Sequence, residues 1–325
     1  MLNFDYRETG TIKKLLFEAE ALKFFFQSFK TLPSIEEKIR RESLLKSSLY
    51  SARIEGNPAK YGNIEDVDKL HKLEIFNLLS AYKYIYSTRI QKHLTINLIK
   101  KIHSMVMKDI SSMAGFYRNE SWAIFNKAGA VVYLPPAHFK VPKLMNNLAS
   151  SYKKCMCYPF VKSASIQFLF EKIHPFADGN GRVGRLISTY ILQKEGYGFR
   201  GLVPVEETVD NKRHNYYEAL EPNKDTTLFV EFMLESFIEQ AKKTAEKLLN
   251  VNEEKPEDFL SPRRREIFEI IKDHPFSPFD FLSRRFSKVN IKTLHYDLKK
   301  LQEKGFVVKV GETRGATYRT KNGKT

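Results

Sequence analysis

The chain has 325 residues, enough for two or three compact domains, and its 42% hydrophobic content can fill their cores. No apolar run approaches the roughly 20 residues of a membrane-spanning helix, and the opening MLNFDYRETG lacks the apolar core of a signal peptide, so a cytoplasmic protein that meets no membrane is expected. The net charge of +16 is uneven: from Ser261 to the end 16 Lys and Arg face 7 Asp and Glu, a balance of +9, so more than half of the excess lies in the last fifth.

Leu15, Leu16, Ala19, Leu22 and Phe26 recur at helical spacing, which predicts a helix within residues 1 to about 30. Thr31-Leu32-Pro33-Ser34 ends it, and Ser34 with Glu37 three residues on forms the capping-box pattern of a second helix reaching about Glu55. Gly56-Asn57-Pro58 stops that helix, because Gly suits the left-handed position past a helix end and Pro cannot continue it. Further helices are predicted over 64–70, 74–86 and, behind Thr95 as cap, 95–107. Two β-rich runs, 122–125 and 131–134, then flank a glycine-bearing loop at 126–130 and precede Pro135-Pro136, the pattern of a hairpin. Helices resume over 143–152, 161–173, 182–194, 211–220 and 227–249. Cys155 and Cys157 have no second Cys pair and no nearby histidine to complete a zinc site, which leaves free thiols in a reducing compartment. The polar, proline-bearing 252–258 reads as a linker. Beyond it, helices over 261–274, 277–286 and 290–304 precede two strands, 305–310 and 316–319, around a basic turn.

The chemistry concentrates in His174 to Arg185, HPFADGNGRVGR. Pro175 forces His174 out of the helix before it, and Phe176 is an apolar anchor for the core. Asp178, Gly179, Asn180 and Gly181 then lead into a new helix, where free backbone N–H groups and the helix dipole favour an anion. Gly179 to Leu186 has Walker-loop glycine spacing, but Arg185 and Leu186 replace the Lys and the Ser or Thr that loop requires. An EF-hand beginning at Asp178 would need an acid where Thr189 stands. What remains is a base, a carboxylate, two arginines and a phosphate cradle, the parts needed for attack of a hydroxyl on a nucleotide phosphate.

HPFADGNGRVGR resembles the signature of the Fic family, H-x-F-x-[D/E]-G-N-G-R-x-x-R, with every fixed position matched. The resemblance implies a mainly α fold, a helical core with a β-hairpin flap and an N-terminal helical region, and the three helices and two strands from 261 onward resemble a C-terminal winged helix. It also implies a protein adenylyltransferase that moves AMP from Mg²⁺-bound ATP to a Ser, Thr or Tyr hydroxyl of a target protein, with auto-modification expected. His174 would be the general base and Asp178 the Mg²⁺ ligand. The backbone of Gly179 to Gly181 would hold the α- and β-phosphates, with Asn180 positioning the phosphate. Arg182 would meet the phosphate chain, and Arg185 the γ-phosphate. Gly115-Phe116-Tyr117-Arg118 ahead of the hairpin is similar to the family's flap, which registers an extended target segment by strand pairing. Tyr216 and Tyr217 resemble a Tyr-Tyr pair that lines the adenine pocket or packs the core. Gln167 stands where relatives commonly carry a histidine, a departure that bears on core packing rather than catalysis.

Ser51-Ala52-Arg53-Ile54-Glu55-Gly56 matches the family's inhibitory pattern, [S/T]-x-x-x-E-[G/N], which implies that Glu55 pairs with Arg185 and blocks the γ-phosphate position. The implied organisation is an N-terminal region, 1–92, with its inhibitory helix at about 34–56, a catalytic core, 93–250, and a linker with winged helix-turn-helix, 251–325. The third helix of that last module carries Lys292, His295, Lys299 and Lys300, so DNA is an expected partner of 261–325, with protein docking or a homodimer as alternatives. Two other functions stay open: AMP removal or transfer of another phosphate-containing group at the same site, and a DNA-binding regulator whose core only senses nucleotide.

Overall fold

Thr9 accepts a hydrogen bond from the Ile12 N–H (3.1 Å) and so starts α1 (Gly10–Ser28). The structure, a computed structural model, describes residues 6–31, 33–87, 93–121, 123–125, 131–221, 225–250, 257, 260–311 and 315–321. The chain divides into two compact units, Met1–Lys30 with Lys38–Leu249, and Thr31–Glu37 with Asn250–Thr325.

α2 (Pro33–Ile54) begins one residue ahead of the predicted cap, with a proline in its first turn, where no N–H partner is needed. The helix predicted over 64–70 is only a 3₁₀ turn, Ile64–Asp66. Asp68 caps the His71 N–H at 2.9 Å and so starts α3 (Lys69–Ile85) earlier than expected. Thr95 caps α4 (Ile96–Val106) through the Leu98 N–H at 3.1 Å. The short strands β1 (Ile124–Phe125) and β2 (Val131–Tyr133) pair antiparallel, Ile124 opposite Tyr133 and Phe125 opposite Val131. Trp122 and the loop 126–130 lie outside the described residues.

α5 (Val141–Lys154), α6 (Pro159–Ile173) and α7 (Asn180–Lys194) follow. The helix predicted over 211–220 is instead two, α8 (Val205–Asn211) and α9 (Arg213–Ala219), broken where Lys212 leaves helical geometry (φ −111°, ψ 34°). α10 (Thr227–Asn250) ends the series. Leu49 of α2, Ile75 and Leu78 of α3, Ile102 of α4, Phe170 of α6 and Leu186, Ile187 and Tyr190 of α7 share one buried core. Each such side chain contributes about 1.5–3 kcal/mol by leaving water, so the α6–α7 pair that carries the motif is firmly anchored. Cys155 and Cys157, expected as free thiols, are joined as a disulfide. Cys155 ends α5 in extended geometry, and the turn through Met156 brings the two Cα atoms to 5.4 Å, within reach of a bond.

Of the expected linker at 252–258, Glu257 alone falls within the described residues. In the second unit, α11 (Pro262–Asp273), β3 (Ser277–Pro278), α12 (Phe279–Arg285), α13 (Ile291–Glu303), β4 (Val307–Val310) and β5 (Thr317–Thr320) follow in order. Ser277-Pro278, predicted as a helix start, pairs with Thr317 and Tyr318 instead, so the sheet has three antiparallel strands in the order β3-β5-β4 rather than two. Ile267, Ile271, Leu282, Leu294, Leu298 and Val307 form a separate core. The fold is mainly helical with this small antiparallel sheet near its C-terminus. Among the described residues no helix is long and apolar enough to cross a membrane.

Candidate active site

α6 ends where His174 adopts a left-handed backbone (φ 48°, ψ 61°), a conformation that costs a non-glycine residue about 1 kcal/mol or more. Arg118, 3% exposed, holds the chain in it: its Nε donates to the His174 carbonyl (2.8 Å) and its backbone N–H to the Pro175 carbonyl (3.0 Å). The same guanidinium donates to the Glu120 carbonyl (2.9 Å) and to the Pro136 carbonyl, so it fastens both feet of the β1–β2 hairpin to the motif loop. Tyr133 of β2 adds a hydroxyl donated to the Lys172 carbonyl at 2.7 Å.

The loop is braced from within as well. Asn180 accepts from the Phe176 N–H and donates to the Phe176 carbonyl, both at 2.9 Å. The amide expected to position phosphate also shapes the loop through these two bonds. Phe176 is buried and stacks flat on His103 of α4, ring centroids 3.7 Å apart. His103 accepts from the Gly115 N–H at Nδ1 (2.8 Å), which leaves Nε2 to donate to the Asp178 carbonyl (3.1 Å). Burial holds this imidazole neutral by pushing its pKa down to about 4. Gly179, at φ 78°, starts α7 so close to α4 that an added Cβ would stand 2.8 Å from the Met107 sulfur.

On α7 the glycines at 181 and 184 open one face, and an acid lies on each: a methyl at Gly181 would collide with the Glu55 carboxylate, and one at Gly184 with that of Glu171. Glu55 Oε1 accepts from Arg185 Nη2 at 2.8 Å, and Arg185, 2% exposed, also donates to the Ser51 hydroxyl (3.0 Å) and the Ser51 carbonyl (2.8 Å). Burial opposes the arginine's charge, but Glu55 more than restores it, and its pKa stays above the ordinary value. Arg185 Nη1 and Arg182 Nε are buried without a hydrogen-bond partner among the described residues. Arg182 Nη2 donates to both oxygens of Asp178 (3.0 Å each), and Nη1 to Glu74 Oε1 of α3 (3.0 Å).

Burial lowers the His174 imidazole below the usual histidine value, against the opposing pull of a hydrogen bond to the Glu171 main chain. It is therefore neutral, and able to accept a proton, near pH 7. The Asp178 side chain is 66% exposed. No group of three or more His, Cys, Asp or Glu side chains placed to hold a metal ion occurs among the described residues. The Asp178 carboxylate, exposed although held by Arg182, fits Mg²⁺, which commonly takes one or two carboxylates and completes its shell with phosphate oxygens and water. Tyr216 is buried, its hydroxyl accepting from Gln167 (3.1 Å), so both belong to the core. Tyr217 is half-exposed and donates to the Ile54 carbonyl (3.0 Å) beside Glu55. His103, Glu74 and Glu171 carried no sequence signal that would have set them apart from ordinary helix residues.

Residues 93–192 match the model of the Fic/DOC family. The chain is 26% identical over 202 residues to "Protein adenylyltransferase Fic" of Aedes aegypti, covering 57% of this chain and 38% of that protein. It is 33% identical over 153 residues to the protein of the same name from Nematostella vectensis, covering 45% and 33%. The chain thus spans between a third and two fifths of the length of these curated relatives. Its fold is shared with a crystal structure of a Fic family protein from Desulfovibrio desulfuricans G20, TM-score 0.70 at 22% identity over 99% of both chains. It is shared also with Fic-1 (residues 134–508) from C. elegans, TM-score 0.59 at 17% identity over 74% of this chain and 72% of that one.

Proposed function

Taking distant homology to the Fic/DOC family as the premise, with residues 93–192 as the matching core, we propose that this chain is a protein adenylyltransferase held off by its own Glu55. The observation that carries the proposal is the Glu55 carboxylate lying on Gly181 and bonded to Arg185 at 2.8 Å. An acid there uses the donors and the space that a terminal phosphate of ATP would need.

Asp178 would hold Mg²⁺, which when bound would offset the charge that develops on the leaving pyrophosphate. The backbone N–H groups of Gly179 to Gly181 at the start of α7 cradle the inner phosphates. Arg182 meets the phosphate chain, and Arg185, once freed from Glu55, the γ-phosphate. His174 takes the proton of a target Ser, Thr or Tyr hydroxyl as its oxygen attacks the α-phosphorus. The bond from phosphorus to the bridging oxygen breaks, and pyrophosphate leaves with the electron pair. Tyr217, bonded to the Ile54 carbonyl beside Glu55, would line the adenine pocket, with Tyr216 packed in the core. The β1–β2 hairpin, fastened by Arg118 next to His174, offers strand edges for an extended target.

On this reading 1–92 carries the brake, 93–250 the catalysis, and the C-terminal unit is a winged helix-turn-helix that meets duplex DNA. A specific observation favours the DNA contact: α13 buries Leu294, Leu298 and Leu301 while Lys292, His295, Tyr296 and Lys299 face outward.

The test of the activity is mass spectrometry after incubation with ATP and Mg²⁺. The Glu55→Gly protein is expected to gain AMP, and the Glu55→Gly protein also carrying His174→Ala to gain none. Equal labelling of wild type and Glu55→Gly would remove the brake. Loss of AMP from a modified target would favour removal over transfer, and no covalent change at all would leave only nucleotide sensing.

A further inference from the structure

Arg182 is 3% exposed and has one positive charge to divide between two acids, Asp178 on its own loop and Glu74 on α3. The second oxygen of Glu74 is not free to follow the arginine, because it accepts from the Asn57 side-chain amide at 2.7 Å. Asn57 follows Glu55 by two residues and is itself pinned, 7% exposed. Its backbone N–H donates to the Ala52 carbonyl (3.2 Å), its Nδ2 also reaches the His71 carbonyl (3.0 Å), and its Oδ1 accepts from the Ala59 N–H (3.1 Å). A continuous hydrogen-bonded run therefore leads from the end of α2, through Asn57, Glu74 and Arg182, to Asp178.

We propose that Glu74 is a positioning residue for the cation at Asp178, and that through Asn57 it links that cation to the position of the inhibitory segment. The proposal rests on the assignment of Asp178 to Mg²⁺ made above. The physical basis is competition for one guanidinium. A cation approaching Asp178 must win oxygens that already accept from Arg182 Nη2, and Glu74 weakens that grip by drawing the same charge the other way. An amide in place of Glu74 draws no charge, so Asp178 is gripped harder and the cation binds less well. A shift of the α2 end pulls on Asn57, turns Glu74 and alters the division, so withdrawal of Glu55 from Arg185 and loading of the metal become linked. By the reciprocity of linkage, the metal–nucleotide pair would in turn favour the displaced segment.

The experiment uses the full chain carrying Glu55→Gly, with ATP present and Mn²⁺ as the probe, its bound fraction read by electron paramagnetic resonance. Adding Glu74→Gln is expected to raise the half-saturating Mn²⁺ concentration by about fivefold or more, the lower range of coupling between linked sites. Asn57→Ala is expected to shift the titration when Glu74 is present and to cause no further shift when it is Gln. An unchanged titration in Glu74→Gln, or shifts that simply add, would overturn the proposal. If Glu74→Gln fails to fold by thermal melting, Asn57→Ala alone decides: a shifted titration supports the linkage and an unshifted one overturns it. A Glu55→Gly parent that binds Mn²⁺ no better with ATP than without overturns the metal assignment itself, a failure distinct from an unresponsive Glu74→Gln beside a responsive parent.

Discussion

α7 and α13 both carry several charged residues, and they stand in opposite surroundings. On α7 the arginines at 182 and 185 are buried, and each is met by an acid from a distant element, Glu74 and Glu55 respectively. On α13 Lys292 and Lys299 face outward, and the charge it buries is Asp297, held by Arg263 and Arg264 of α11, the latter at 2.8 Å. A buried charge costs several kcal/mol unless partners compensate it, whereas an exposed lysine costs almost nothing. The outward lysines of the tail therefore constrain little about its structure, while each buried arginine of α7 requires an acid held at a fixed place beside it.

The sharpest way to break this contrast is Glu171, the acid on Gly184. Burial, with Glu55 nearby, pushes its pKa up to about 8 from an ordinary 4.5. Between those values the folded protein keeps a proton that the unfolded chain releases. The group's contribution to stability is therefore fully present below pH 4.5 and is lost as pH rises through about 8. Glu171→Gln removes that dependence. It should be more stable than wild type at pH 8 by about 4 kcal/mol, with the gap closing toward pH 4.5, in denaturant titrations across pH. A gap that does not change with pH would mean that this acid is as freely solvated as the lysines of α13.

His174 offers a second, smaller test on the same side of the comparison. Because burial lowers its pKa, AMP transfer by Glu55→Gly should be level with pH above the ordinary histidine value of 6.5. Below the lowered pKa it should fall by about tenfold per pH unit. A break at or above pH 6.5 would place the imidazole in solvent or assign the titration to another group.

How much of this was legible beforehand follows from how far apart the partners lie in sequence. His174 to Arg185 is contiguous, so its set of side chains and its place at a helix start are legible in the sequence, and the short pattern Ser51 to Gly56 points to the Glu55–Arg185 contact for the same reason. The contacts that hold the loop were not. Arg118 reaches the His174 carbonyl across 56 residues and Glu74 reaches Arg182 across 108, and nothing local distinguishes such an arginine or glutamate from a solvated one. His103 is one more residue of an amphipathic helix in sequence, and the bonds of Asn180 to the Phe176 main chain appear only once the loop is folded. Helix existence was mostly evident, but ends moved where a cap intervened, at Asp68, or where two residues paired as a strand, at Ser277-Pro278.

The smallest expected effect lies on α13 and tests the other side of the contrast. If Lys292 and Lys299 are solvated, replacing both by Ala changes stability by no more than about 0.5 kcal/mol, measured by denaturant unfolding of the full chain. A larger loss would mean that this helix spends charge on structure as α7 does. The same double variant also tests the proposed contact with duplex DNA. Each lysine that neutralises a phosphate contributes about 0.9 to the slope of log affinity against log salt, so removing both should flatten that slope by about 1.8. An unchanged slope in a protein of unchanged stability would leave α13 as a solvated basic face with no phosphate contact at these two positions.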